Sequence, residues 1–464
     1  MSEQNDKELL LFQLGPVQEF IAQAETVGDL RAGSELLSEL TAAALKVVPG
    51  YETEAVFPAV KKDELKGIPN RFLAFVPKGE GENIGKSAAD EAKAELLRIA
   101  EACWTKLIEV PQTRKDAFMK QVEAFLQTTW AVLKNPTGNM GVDYKTIGKL
   151  MAMRRNVRQF DAWHEESTGS VKDFLSGKEA ALDVADNKSP NKNSGRGAMN
   201  LIKKALTGPI DEDVKERLGK YIAVIAMDGD HMGEQLSGFT GKDEHRRFSE
   251  KLAGFAKSVE ISSGDGALIY AGGDDVLAVV KATRAIDIAH KLARQFKDAI
   301  RADGVSASAG IAIGSAKAPL QDLIHEAHAA ESRAKHVYGR NALAVSVLKR
   351  SGEILKWGCA WDSRAFDIYR RLTEQSGNLS RFAYKLAGFL EPYALKKGDL
   401  DETGTMRQVV LEETLHTLKQ TEGAGDVLTR ECLEAYLDEP SVREHPEDYL
   451  GLFMCEAFIN RPRG

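Results

Sequence analysis

Apolar and polar positions between residues 221 and 338 fall into blocks of two periods. YIAVIAM (221–227) is a nearly unbroken apolar run with the length of a buried strand. It leads straight into Asp228-Gly229-Asp230, and a helix-like stretch follows. ALIYA and VLAVV are two further short apolar runs, joined by Gly272-Gly273-Asp274-Asp275. They predict a β-hairpin, because glycine supplies the positive φ that a tight turn needs. Beyond the hairpin the pattern predicts a helix over about 282–302, a strand over 306–314 and a helix over about 320–338. The order β-α-β-β-α-β is the split pattern of a ferredoxin-like domain. There the first strand lies between the third and fourth and runs antiparallel to the third. Its carboxyl end sits beside the hairpin, so Asp228, Asp274 and Asp275 are expected to converge at one edge.

A similar succession occurs near the amino end. LLLFQLG (9–15) predicts a strand followed by a turn and a long helix, and AVFPAV with RFLAFVP predicts a second strand pair. This copy has Gly15-Pro16 where the other has Asp228-Gly229, and no acidic pair at its hairpin. Either the unit is duplicated and one copy has lost its acidic residues, or two common α/β units look alike by chance. Residues 87–134 and everything after Ser351 carry apolar residues at helical spacing, and 186–198 is rich in turn residues. The expected fold is α+β: two ferredoxin-like domains with a helical insertion between them and a C-terminal helical bundle. The domains are placed at 1–105, 106–215 (mainly helical, with a mobile loop near 186–198), 216–350 and 351–464.

The chain of 464 residues carries 62 basic and 69 acidic side chains, a net charge of −7, which does not suit a protein that coats nucleic acid along its length. The local basic clusters, Arg154, Arg155 and Arg158, then Lys188, Lys192 and Arg196, then Arg246 and Arg247, read as solvated faces. No stretch approaches the roughly 20 apolar residues of a membrane span, and MSEQNDKE is no signal peptide, so a cytoplasmic location is expected. Cys103, Cys359, Cys432 and Cys455 are scattered without CxxC spacing, which implies free, buried thiols rather than a zinc site or a disulfide framework.

Adjacent carboxylates repel unless a cation lies between them. Three at one point suit Mg²⁺ or Mn²⁺, hard ions that take oxygen ligands and bind substrate phosphates. Asp228, Asp274 and Asp275 are the candidate ligands, with the Gly229 carbonyl as a possible fourth. A pair of such ions suits activation of an attacking hydroxyl and neutralisation of a leaving pyrophosphate. Backbone N–H groups after Asp228, around His231, Met232 and Gly233, suit nucleotide phosphates, with Gly229 and Gly233 allowing close approach. Gly272 and Gly273 shape the turn, and Lys335 is a basic residue for a triphosphate. The plainer readings are a solvated acidic turn and a solvated helix-end lysine. Asp230 is a turn-forming or supporting residue, and Ser306 and Ser308 face either a base or the core.

DGDHMG, YAGGDD and AKxxxGRNA, in this order, resemble the polymerase/cyclase Palm domain shared by GGDEF cyclases and the large subunit of type III CRISPR effector complexes. The GGDD form points to the CRISPR subunit. Gly15-Pro16-Val17-Gln18-Glu19-Phe20-Ile21, Asp29-Leu30-Arg31-Ala32-Gly33-Ser34, IPNRFLAFVP (68–77) and FLSGKEAALD (174–183) resemble the Cmr-type (III-B) version. The resemblance implies two Palm domains, the second catalytic and the first degenerate. It implies a metal-dependent nucleotidyltransferase that makes cyclic oligoadenylate from ATP once its complex binds target RNA. Other subunits, guide RNA and target RNA are the implied partners. Many relatives carry a cysteine-bound zinc, for which this chain has no motif, and an N-terminal HD nuclease domain. None of the nine histidines is followed by aspartate, so no DNase activity is expected. A stand-alone cyclase making a cyclic dinucleotide, and a catalytically silent scaffold subunit, remain as alternatives.

Overall fold

The computed structural model describes residues 6–62, 64–108, 110–157, 171–183, 195–207, 214–374, 380–421 and 428–460. Two sheets organise it. The first contains β1 (Lys7–Gly15), β2 (Ala55–Phe57), β3 (Arg71–Pro77) and β4 (Gln127–Leu133) in the order β2-β3-β1-β4. The second contains β5 (Tyr221–Gly229), β6 (Gly266–Gly272), β7 (Asp275–Lys281), β8 (Ala307–Ser315), β9 (Ala342–Leu348) and β10 (Ile354–Ala360), in the order β10-β9-β8-β5-β7-β6. In each, the first strand of the unit lies between its third and fourth and is antiparallel to both. Both units therefore have the ferredoxin-like order.

Two stretches expected to be helical are strands. Gln127–Leu133 is the tail of an apparently amphipathic run, yet it pairs with β1 from Gly15↔Gln127 to Leu9↔Leu133. Thr128, Thr129, Trp130 and Val132 favour a pleated surface, and the edge of β1 offers unpaired backbone groups that a helix would leave without partners. Ile354–Ala360 likewise pairs with β9 and extends the second sheet past residue 351. The C-terminal helices then begin at Arg364, and Glu447–Ile459 lies flush on β10: a Cβ on Gly451 would stand 2.4 Å from the Lys356 carbonyl oxygen. Most of the loop near 186–198 lies outside the described residues, as do Arg158, Lys188 and Lys192.

Of the basic residues read as solvated, Arg246 is structural and donates to the backbone carbonyls of Glu52, Ala55 and Val60, whereas Arg154 is exposed and pairs with Glu82 at 2.9 Å. Cys103, Cys359 and Cys455 are buried free thiols, and Cys432 is half-buried. No helix among the described residues is long and apolar enough to cross a membrane.

The helix Val27–Lys46 docks the two units. Its first turn is closed by a capping box between Thr26 and Asp29, with N–H to oxygen distances of 2.9 and 3.1 Å. Val27 and Leu30 pack with Val224, Ile269 and Leu323 of the second unit, and the Arg31 guanidinium donates to the Leu268 carbonyl of β6 at 2.9 Å. Gly33 leaves room for Lys203, whose Cε would lie 3.0 Å from a Cβ there. The Lys203 amine is buried, lies 3.9 Å from the centre of the Phe20 ring and donates to the carbonyls of Phe20 and Gln23. It thereby fixes the chain that leaves β1.

Burial pulls the Lys203 amine down to about 7, with Asp29 and Asp173 partly opposing. The unfolded chain keeps that proton to higher pH, so this group adds stability as the pH rises from about 7 towards the free-lysine range, and the contribution is lost as the pH falls through 7. Lys203→Met leaves two buried carbonyls without a donor and is expected to cost about 1–3 kcal/mol at neutral pH. Urea unfolding at pH 7 and pH 9 checks both points: wild type should gain on the variant at the higher pH, by at most about 1.4 kcal/mol per pH unit.

Candidate active site between the two sheets

Asp228 is the penultimate residue of β5 and pairs with Ser308 of β8, while Met227 pairs with Val276 of β7. The β6–β7 hairpin closes at the Gly272↔Asp275 pair, with Gly273 (φ 68°) and Asp274 at its tip. Strand register alone therefore sets the end of β5 beside the start of β7. One carboxylate oxygen from each of Asp228, Asp274 and Asp275 lies within 4.8 Å of the others. Gly229 is required for this approach, since a Cβ there would stand 2.8 Å from Asp274 Cβ and 2.9 Å from the Phe296 ring. Gly272 lies under the Tyr270 ring, whose hydroxyl donates to the Gly272 carbonyl at 3.2 Å.

Asp275 is open to solvent and Asp228 and Asp274 are half-buried; Asp228 and Asp275 line a cleft and Asp274 stands at the hairpin tip beside them, where protein displaces much of the surrounding water. Burial raises the Asp274 carboxyl to about 7, and Asp228 adds to the rise while Arg71 and Lys335 oppose it. Asp275 is raised well above the usual range, by burial and then by Asp228 and Asp274. Carboxyls that hold protons this tightly form a strong negative focus, the setting in which a divalent cation replaces protons. The donor set of three carboxylates fits a hard cation.

Lys335 contacts Asp228 and pairs with Glu331 at 2.9 Å. Burial works to lower its amine, but these carboxylates outweigh it and raise it to about 12. Its helix, Leu320–His336, reaches the site because Gly310 of β8 has no side chain: a Cβ there would stand 2.0 Å from the Glu331 nitrogen. Glu331 was not singled out in the sequence, although its position four residues before Lys335 is the helical spacing for an ion pair.

The residues after Asp228 divide by role. Met232 is buried in the core with its side chain against the end of β5, its Cγ 3.0 Å from where a Cβ on Gly229 would stand. His231 is left-handed (φ 59°), with its ring 3.2 Å from Glu234, and Gly233 has open space where a Cβ would stand. Asp230 is completely buried and accepts from Ser306 (2.6 Å), Ser308 (2.8 Å) and the Asn341 N–H (2.9 Å). Both serines therefore face Asp230 rather than a ligand. This knot also holds Gly339, Arg340 and Asn341, three consecutive left-handed residues. Tyr338, just before them, packs on Gly358 and donates to the buried Asp448 of the C-terminal helices at 2.8 Å.

Asp228 and Asp275 open into a cleft of about 680 Å³ whose opposite wall belongs to the first unit. That wall carries amides and hydroxyls, among them Gln13, Gln18, Ser34, Asn70 and Thr129, and no carboxylate. Gly15 pairs with the first residue of β4 as Gly229 pairs with the first residue of β8. Leu14 thus stands where Asp228 does, and the correspondence read from the sequence is shifted by one residue. The tight acidic turn is replaced by the connection 58–70.

A model of the second palm domain of Cas10/Cmr2 matches residues 221–344, and a model of the N-terminal domain of the CRISPR-associated protein Cmr2 matches residues 9–101. These two matches, one at each sheet, support a Cmr-type large subunit of type III CRISPR systems. It is 29% identical over 259 residues to the CRISPR system Cmr subunit Cmr2 of Pyrococcus furiosus, a match covering 47% of this chain and 28% of that protein. The chain thus spans less than a third of that Cas10/Cmr2 relative. In fold it is similar to a chain of the type III-B Cmr-beta complex in the apo state, with a TM-score of 0.64, 11% identity and coverage of 92% of this chain and 79% of that one. It is similar also to a chain of the Csm1-Csm4 cassette in complex with cA4, with a TM-score of 0.55, 14% identity and coverage of 98% and 70%.

Titration with Mn²⁺ tests the metal reading of the triad. Wild type is expected to bind with release of protons, because the carboxyls hold them near neutral pH. Asp228→Asn and Gly229→Ala should each weaken binding by about tenfold or more, measured by calorimetry in two buffers of different ionisation heat.

Proposed function

We propose that the cleft joins ATP molecules into a cyclic oligoadenylate, and that the chain does so as the large subunit of a cytoplasmic type III effector complex loaded with guide RNA and activated by target RNA. The observation that carries this reading is the convergence of Asp228, Asp274 and Asp275 at a cleft whose far wall, formed by a second copy of the same fold, bears no carboxylate. Such a cleft has one wall for the reacting triphosphate and one for the nucleotide that attacks it. The solution of a related cassette with cA4 supports the reading.

In the step, the 3′-oxygen of one nucleotide forms a bond to the α-phosphorus of another. The bond from that phosphorus to the bridging oxygen breaks, and pyrophosphate leaves with the electron pair. When bound at the triad, Mg²⁺ or Mn²⁺ ions would lower the pKa of the attacking hydroxyl and neutralise charge on the leaving group. Asp228, Asp274 and Asp275 would hold them, with the Gly229 carbonyl adding an oxygen. A hairpin carboxylate takes up the hydroxyl proton through water. Lys335, already beside Asp228, holds the triphosphate, and the backbone of His231 to Gly233 and of Gly272 and Gly273 borders it. Gln13, Gln18 and Asn70 hold the attacking nucleotide from the first unit.

Incubation of the complex with ATP, Mn²⁺, guide RNA and target RNA should release pyrophosphate and give cyclic products of adenylate, identified by mass. Asp275→Ala should reduce release to background. Cyclic dinucleotide formed without RNA would favour the stand-alone cyclase. No pyrophosphate from wild type, with Asp275→Ala indistinguishable from it, would leave a scaffold.

A further inference from the structure

Arg71 opens β3 with an exposed side chain. It lies directly opposite Gln13 of β1, which in turn lies opposite Thr129 of β4. Directly opposed residues share a face of the sheet, and both Gln13 and Thr129 line the cleft. The guanidinium sits 5.6 Å from the centre of the Phe57 ring. That ring reaches the acidic turn, with its Cζ 3.9 Å from where a Cβ on Gly273 would stand. Phe57 thus props a first-sheet guanidinium against the second-sheet hairpin.

Among the described residues the Arg71 side chain makes no hydrogen bond or ion pair. Its guanidinium is thus left on the ring that reaches the acidic hairpin. The other cation at the triad, Lys335, is tied to both Asp228 and Glu331. Lys335, shared with these carboxylates, meets only part of a triphosphate's charge, and a second cation without such partners meets more of it. A guanidinium held by its face on an aromatic ring keeps its N–H edge free, and that planar fork matches two phosphate oxygens at once.

We propose that Arg71 is a catalytic residue contributed by the first sheet, which binds the triphosphate of the nucleotide attacked at the second and stabilises pyrophosphate as it leaves. This rests on the function proposed above. It makes the first sheet an electrostatic participant in the reaction as well as a wall for the attacking nucleotide.

Arg71→Ala, Arg71→Lys and Asp275→Ala, made in the full chain, test it by equilibrium binding of ATP, inorganic tripolyphosphate and adenosine with Mg²⁺ present, alongside Mn²⁺ titration. Arg71→Ala should weaken ATP and tripolyphosphate by about tenfold or more and leave adenosine and Mn²⁺ unchanged, and Arg71→Lys should recover part of the loss. Unchanged tripolyphosphate binding would overturn the assignment. So would an equal loss for adenosine, or a change in Mn²⁺ affinity alone, which would make Arg71 a charge balance for Asp274. Because Arg71→Lys keeps an aliphatic stem and a cation over Phe57, it reads the same contact if Arg71→Ala melts early. If Asp275→Ala stops pyrophosphate release while Arg71→Ala binds ATP as wild type does, only the Arg71 assignment falls. If Asp275→Ala releases pyrophosphate normally, the proposed function itself falls.

Discussion

Three carboxylates held within 4.8 Å of one another repel, and the surrounding structure has to hold them there. Separate local devices do so. The registers of β5 with β7 and β8 fix where Asp228 ends up, and the turn at Gly273 fixes Asp274 and Asp275. Gly229 removes the one side chain that would push the hairpin away. Lys335 supplies a compensating charge, and Gly310 lets its helix sit low enough on β8 to deliver it. The raised carboxyl pKa values record the residual cost, and an arrangement of this kind is sustained where charge has to be concentrated.

The support for this site extends well beyond it. Asp230, buried under Ser306 and Ser308, ties the end of β5 to β8 and to the left-handed turn that follows Lys335. Tyr338 in that turn is held by Asp448, so the C-terminal helices grip the segment that carries the lysine. On the other side, Asp29, Arg31 and Lys203 fix the helix and the chain exit of the first sheet against the second. Each of these polar groups is satisfied within the protein, as burial requires. The cleft is therefore walled by segments with little freedom to drift apart.

Much of this was legible in the chain, for stated reasons. The second ferredoxin-like unit could be read because its apolar runs are short, dense and punctuated by glycine, and the convergence of Asp228 with the hairpin followed from topology. Gln127–Leu133 and Ile354–Ala360 were misread because a half-buried edge strand with apolar residues spaced three or four apart has the same signature as one turn of an amphipathic helix. The one-residue shift between Leu14 and Asp228 was hidden for a related reason. Periodicity marks that a strand exists but not which residue ends it. Glu331 and Arg71 gave little signal, as an exposed arginine at a strand start and a glutamate within a helix are commonplace in any sequence.

The sequence by itself determined the chemistry available at the site, the two-unit architecture and the loss of acidic residues from the first unit. These depend on residue type and on short-range period, both of which are local properties. Only the tertiary structure decided which strands complete each sheet, that Asp230 and its serines support rather than line the cleft, and that a first-sheet guanidinium lies over a ring that reaches the second-sheet hairpin. Those outcomes depend on pairing between residues far apart in the chain, where backbone hydrogen bonds and close approach at Gly229 and Gly310 choose among partners that no local pattern can rank.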